Sequence, residues 1–179
     1  SSDTAENTAA RQQTRGSVFA EEDAILKTQL ANTSTTTKRL RALWCLHVID
    51  GLAKRDLLAL LKDREPMLRA WAVQLLCETR QPSVAALAEF ARLAAEDTSP
   101  VVRLYLAAAM QRTPVNQRTD VLTALLAHAE DATDPNLPHL YWYAAEPVVA
   151  ANKTTAIQLL AKTKIPKIRQ HITRRLASK

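Results

Sequence analysis

The chain has 179 residues, carries 24 Lys or Arg against 18 Asp or Glu, and is 47% apolar with only two glycines and two cysteines. A chain of this length buries roughly two thirds of its unfolded surface, enough for one sizeable core; two cysteines exclude a disulfide framework. No run approaches the about 20 apolar residues of a membrane span, so no membrane insertion is expected.

Ala and Leu dominate the apolar residues, and Gly costs about 1 kcal/mol in a helix relative to Ala, so the composition reads as all-α. The opening SSDTAENTAARQQTRG is polar and reads as a frayed segment over 1–16, with one repeat domain over 17–179. A helix over 17–31 (SVFAEEDAILKTQLA) is the second member of a truncated pair. After it come first-of-pair helices over 37–50, 66–78, 100–112, 137–150 and 166–177, with partners over 54–62, 83–96, 115–130 and 153–163. Ser99-Pro100 and Thr113-Pro114 place a capping oxygen before a proline at the first helical position. Gly51 reads as a left-handed cap of the first long helix.

The pairs recur. DREPMLRAWAVQLL from Asp63 and DTSPVVRLYLAAAM from Asp97 share Asp, Pro and Arg at a shift of 34. Pro166 and Arg169 repeat the pattern two steps of 33 beyond Pro100 and Arg103, and Arg41 lies 28 before Arg69. A period near this value with helical content means stacked helical hairpins, an α-α superhelix. An Asp at each turn is placed to bond the Arg of the adjoining repeat, giving a charged ladder of Arg41, Asp63, Arg69, Asp97, Arg103 and Arg169. In the fourth repeat Asp134, Pro135 and Pro138 crowd the turn and no Arg stands at the ladder position, so the ladder is expected to be interrupted there.

The stretch NLPHLYWYAAEP sets Tyr141, Trp142 and Tyr143 side by side. Successive helical residues point about 100° apart, so the three cannot share one buried face. The stripe of Leu137, Leu140, Tyr141, Ala144 and Val148 is the core face; Trp142 is expected on the flank between repeats. Tyr143 is expected at least partly exposed with His139 and Glu146. His139, Trp142, Tyr143 and Glu146 are therefore the candidate protein interface. Pro147 removes a backbone donor and should free nearby carbonyls.

Residues 161–179 hold seven Lys or Arg and no acid, leaving 24 − 7 = 17 basic against 18 acidic residues elsewhere. On the last helix Ile165, Ile168, Ile172 and Leu176 form the apolar stripe; Lys164, Lys167, His171, Arg174 and Arg175 form a candidate anion-binding stripe. No H-E-x-x-H, paired-carboxylate motif or Gly-rich phosphate loop is present, and Cys45 and His47 project to nearly opposite sides of a helix, so no enzyme, metal or cofactor is expected.

The D-x-x-P-x-[VL]-R pattern with its mid-thirties period resembles HEAT repeats over about residues 35–179. In order and spacing, RLRALWCLHVIDGL, LRAWAVQLLCE, SPVVRLYLAAAMQR, LLAHAEDATDPNLPHLYWYAAEPVV and KIPKIRQHITRRLA resemble the helical-repeat region of large exported planctomycete and verrucomicrobial proteins described as membrane-bound dehydrogenases or haem-binding proteins. The resemblance implies a scaffold or interdomain protein-interaction module of an exported or periplasmic parent. No C-x-x-C-H haem-attachment site is present, so neither redox activity carries over. The second reading is a nucleic-acid module resembling the HEAT-like alkylpurine DNA glycosylases. Charge gathered at one end and the lack of a paired Trp and Asp for a base pocket count against it.

Overall fold

The computed structural model describes residues 20–178; the segment 1–16 and the start of the first expected helix lie outside the described residues. All regular structure among the described residues is helical. The chain divides into two compact units, one up to Ala53 and one from Lys54 onward, where the sequence reading has a single domain over 17–179.

In the first unit α1 (Ala20–Asn32) packs against α2 (Thr36–Val48). Arg39 is buried at the start of α2, and its Nε donates to the Leu30 carbonyl at the end of α1 at 2.6 Å. The left-handed residue after α2 is Asp50 (φ 56°), not Gly51. Gly51 follows it, its N–H bonded to the Leu46 carbonyl at 2.7 Å and Asp50 N–H to that of His47, the paired closure of a helix C-terminus. A Cβ at 51 would meet Asp23 Oδ1 at 2.9 Å and Leu46 Cδ2 at 3.0 Å, so glycine there lets those two side-chain ends sit close to the backbone.

The second unit runs α3 (Lys54–Leu60), α4 (Pro66–Leu76), α5 (Val84–Glu96), α6 (Pro100–Arg112), α7 (Thr119–Leu125), α8 (Leu137–Ala151), α9 (Lys153–Lys162) and α10 (Pro166–Ala177), with 3-10 turns at Val115–Gln117 and Ala129–Thr133. Helices α4, α6, α8 and α10 pack successively in one layer; α5, α7 and α9 do so in a second. This is an all-α helical-repeat fold. α6 meets α4, α5, α7 and α8, which is why it is apolar almost all round and buries Val102, Leu106, Ala107, Ala109 and Met110. Each such Leu or Val contributes about 1.5–3 kcal/mol on full burial.

Each layer-one helix has proline in its first turn, Pro66, Pro100, Pro138 and Pro166, where the missing N–H has no helical partner to lose. Ser99 precedes Pro100 without capping by its hydroxyl. The residue two positions before each N-cap holds the N-cap N–H instead: Asp63 accepts from Glu65 N–H at 2.9 Å, Asp97 from Ser99 N–H at 2.9 Å, Asp134 from Asn136 N–H and also from the first helical N–H, Leu137, both at 2.8 Å, and Thr163 from Ile165 N–H at 3.3 Å. Ser83 and Asn152 cap α5 and α9 directly.

The expected helix over 115–130 is replaced by a short α7 between two 3-10 turns. Thr113 ends α6 instead of capping a helix at Pro114. Buried Arg118 holds the chain back at that end: it donates to the carbonyls of Thr113 at 2.7 Å and Gln111 at 3.3 Å. Beyond α7 the Leu126 carbonyl accepts from Lys164 N–H at 2.9 Å, and the chain turns inward to bury Asp131.

Candidate protein-interaction surface

Counting from the N-terminal proline of each layer-one helix aligns the repeats. Three residues after it stand Arg69, Arg103, Tyr141 and Arg169. Arg69 donates Nε and Nη2 to the two oxygens of Asp97, at 2.6 and 2.8 Å, and Nη1 to the Asp63 carbonyl at 2.8 Å. Arg103 repeats this one step on, with Nε and Nη2 on Asp131 at 2.7 and 2.5 Å and Nη1 on the Asp97 carbonyl at 2.9 Å. A forked guanidinium on a carboxylate is the strong form of the charge-assisted hydrogen bond. The ladder thus links Arg69 to Asp97 and Arg103 to Asp131.

Three rungs differ from the expected set: Arg169 bonds the Thr163 carbonyl at 2.9 Å in place of an acid, and the other two change residues. Arg41 is exposed; the buried arginine is Arg39, four residues after the N-cap Thr35 as Arg69 follows Glu65 and Arg103 follows Ser99. A match on spacing alone chose Arg41, whereas alignment on the helix start selects Arg39. In the fourth repeat Asp131, not the turn residue Asp134, receives Arg103. Tyr141 fills the arginine position, and its hydroxyl donates to Asp131 Oδ2 at 2.6 Å. Burial and then the Asp131 carboxylate push the Tyr141 phenol far up, so it remains a neutral donor. Asp131, through its hydrogen bond, raises Arg103 further against the opposing effect of burial.

The two surface sets named from the sequence largely meet each other. His139 and Lys167 approach within 2.9 Å, the Trp142 ring stacks on His171 with centroids 5.0 Å apart and planes at 24°, and Arg175 Nε donates to Glu146 at 2.9 Å. These contacts form a seam between α8 and α10. Trp142 is half-buried within it. Lys164, in the turn before α10, and Arg174, on it, stay exposed. His171 titrates below the ordinary imidazole value because of burial first, then the charges of Lys167, Arg174 and His139.

Tyr143 remains 57% exposed. It stands five residues after Pro138, and the same position holds Trp71 in α4, Tyr105 in α6 and His171 in α10. Trp71 and Tyr105 lie with ring centroids 6.1 Å apart, tilted at 55°, and both are half-buried. An aromatic row therefore crosses the outer side of layer one. It was legible in principle, as an aromatic repeating at the proline offset.

Pro147 lies inside α8, where its missing N–H leaves the Tyr143 carbonyl without its helical donor; Arg118 Nη1 donates one residue further on, to the Ala144 carbonyl at 3.2 Å. The Cys77 thiol is pushed up to about 11 by burial, which outweighs Thr113 and Arg112, so it is no thiolate nucleophile at neutral pH. No group of three His, Cys, Asp or Glu among the described residues could hold a metal ion. A cleft of about 580 Å³ beside the first rung is lined by Lys62, Arg69, Arg92, Glu96 and Asp97, whose opposite charges largely pair with one another.

These features define the class, an all-α helical-repeat protein with an internal arginine-aspartate ladder. Comparison with protein-family models, with curated proteins and with solved structures gives no match to any of them.

Proposed function

We propose that the chain is a non-catalytic scaffold, an interdomain or protein-binding module of a larger exported protein, and that it binds through the outer side of layer one. The observation that carries this reading is the row of Trp71, Tyr105 and Tyr143 on three successive repeats, with Tyr143 the most exposed. Tyr and Trp dominate protein interface energetics because they bury much area at little cost in side-chain entropy. The ladder and the half-buried seam beneath hold these rings on a packed frame, which lowers the ordering cost of association. The exported parent rests on the resemblance of the repeats alone.

Tyr143→Ala is the test. Its stability should stay within about 0.5 kcal/mol of the wild type, with a nearly unchanged melting temperature, as for an exposed site. Association with the neighbouring domains of the parent protein, supplied in trans, should weaken about tenfold or more. A variant that unfolds would make the ring core, and unchanged association would remove the row from the interface. Duplex DNA bound tighter than the about 10⁻⁴–10⁻⁶ M non-specific range at physiological salt, with excision of an alkylated base, would establish the nucleic-acid reading instead.

A further inference from the structure

Arg69 and Arg103 show twice how this fold receives a carboxylate. Each arginine stands three residues after its proline, anchors one N–H on the carbonyl six residues earlier, and presents a fork to an aspartate in the turn ahead of the next layer-one helix. Arg169 stands at the same position of α10 and makes the same backbone anchor, to the Thr163 carbonyl at 2.9 Å. It uses Nη2 where the others use Nη1, so presenting the same Nε and Nη2 fork requires a turn of the guanidinium. No Asp or Glu among the described residues forms an ion pair with Arg169. The side chain lies instead in a shallow, open cleft of about 530 Å³ along one face of α10, lined by Pro166, Lys167, Gln170, Thr173 and Arg174.

The lining indicates what the cleft takes. Where α6 presents Leu104, Ala107 and Ala108 to its neighbours, the same offsets in α10 carry Gln170, Thr173 and Arg174. An apolar helix face would leave those polar groups without partners, at a cost of about 1–3 kcal/mol for each one buried. An acidic one would be drawn to Arg169, Arg174 and Lys167, in a region from 161 to 179 with no acid.

We propose that this cleft is a carboxylate receptor, which docks a partner protein through an aspartate in the turn that opens one of the partner's helices. The receptor uses other residues than the aromatic row, so it stands or fails independently of that row. A guanidinium fork fits phosphate as well as carboxylate; a carboxylate is favoured because both occupied copies of this position, Arg69 and Arg103, hold an aspartate.

The chain carries the partner's chemistry itself, at Asp97, where Arg69 already occupies it. The probe is therefore a lactam-bridged helical peptide copying Glu96 to Arg112, titrated into the full-length protein. The arginine Nε–H resonances of the ¹⁵N-labelled chain are followed. The Arg169 resonance should shift saturably, and affinity should fall about tenfold for the peptide with Asp97→Asn, as expected for loss of a charge-assisted pair. Arg169→Gln in the protein should weaken binding equally, while Lys153→Gln should not. Equal binding of the Asp and Asn peptides to the unaltered protein, which needs no variant to fold, would overturn the proposal. So would an unmoved Arg169 resonance at millimolar peptide. A short DNA duplex that shifts Arg169 where the peptide does not would overturn it in favour of an anionic polymer.

Discussion

Arg103 keeps three kinds of donor satisfied inside the protein, and its side chain is only 4% exposed. Its loss would leave Asp131 charged and buried with Tyr141 as its remaining close donor. Breaking a buried pair from one side costs about 3–5 kcal/mol, because the surviving charge stays desolvated. Arg103→Ala should therefore lower the melting temperature most. Arg69→Ala should cost less, since the Arg69 side chain is 14% exposed and water can reach the site. Arg80→Ala, at an exposed position, should stay within about 0.5 kcal/mol of the wild type. Thermal melts of the three check the order, and equal melts would remove the ladder from any account of stability. Tyr141→Phe isolates the tyrosine's part: loss of one hydrogen bond to a charged group should cost about 1.5–3 kcal/mol, well short of Arg103→Ala.

At the scale of the element, the seam between α8 and α10 gives a pH dependence with a definite sign. A folded value for His171 below the ordinary imidazole value of about 6.5 means that the unfolded chain binds the proton more tightly. The seam's contribution is therefore fully present above that value and is lost as pH falls through it towards the lowered folded one. The groups facing the ring are Trp142, Lys167, Arg174 and His139, and the three basic ones repel an imidazolium. His171→Gln should flatten the acid limb of stability against pH, measured by urea unfolding across pH 5 to 7.5, and added salt should weaken the limb in the wild type by screening. An unchanged limb in the variant would place the titration elsewhere. The seam also marks the limit of what the sequence discloses. Proline and arginine offsets fix the layer-one helices and the first rung, because each depends on residues close in the chain. Which side chains of α8 face which of α10, 28 or 29 residues away, depends on the packing angle, which no local pattern carries. Asp131 escaped for a related reason: Arg118 and the 3-10 turn move the fourth acid three residues ahead of its expected place.

For the second unit as a whole, stability is set by neighbours, because each repeat touches the repeats beside it and few others. The α6–α8 region carries the most interactions of this kind. It has the Arg103–Asp131–Tyr141 cluster, the Arg118 bonds joining the end of α6 to α8, and the fully buried side chains of Tyr141, Met110, Leu106 and Leu122. α10 buries only Ile168 and Ile172 and is held to α8 by the half-exposed seam. Opening should therefore be graded, with backbone amides at the centre exchanging only through unfolding of the whole unit and those of α10 through a smaller local opening. Native-state hydrogen exchange should find α6 and the first half of α8 the best protected and α10 the least within this unit, with Arg103→Ala narrowing the difference by lowering the centre. If α10 proves as protected as α6 in the wild type, the unit opens all at once. Cooperativity would then have to come from the continuous apolar core running through the layers, with the ladder and seam adding only local strength.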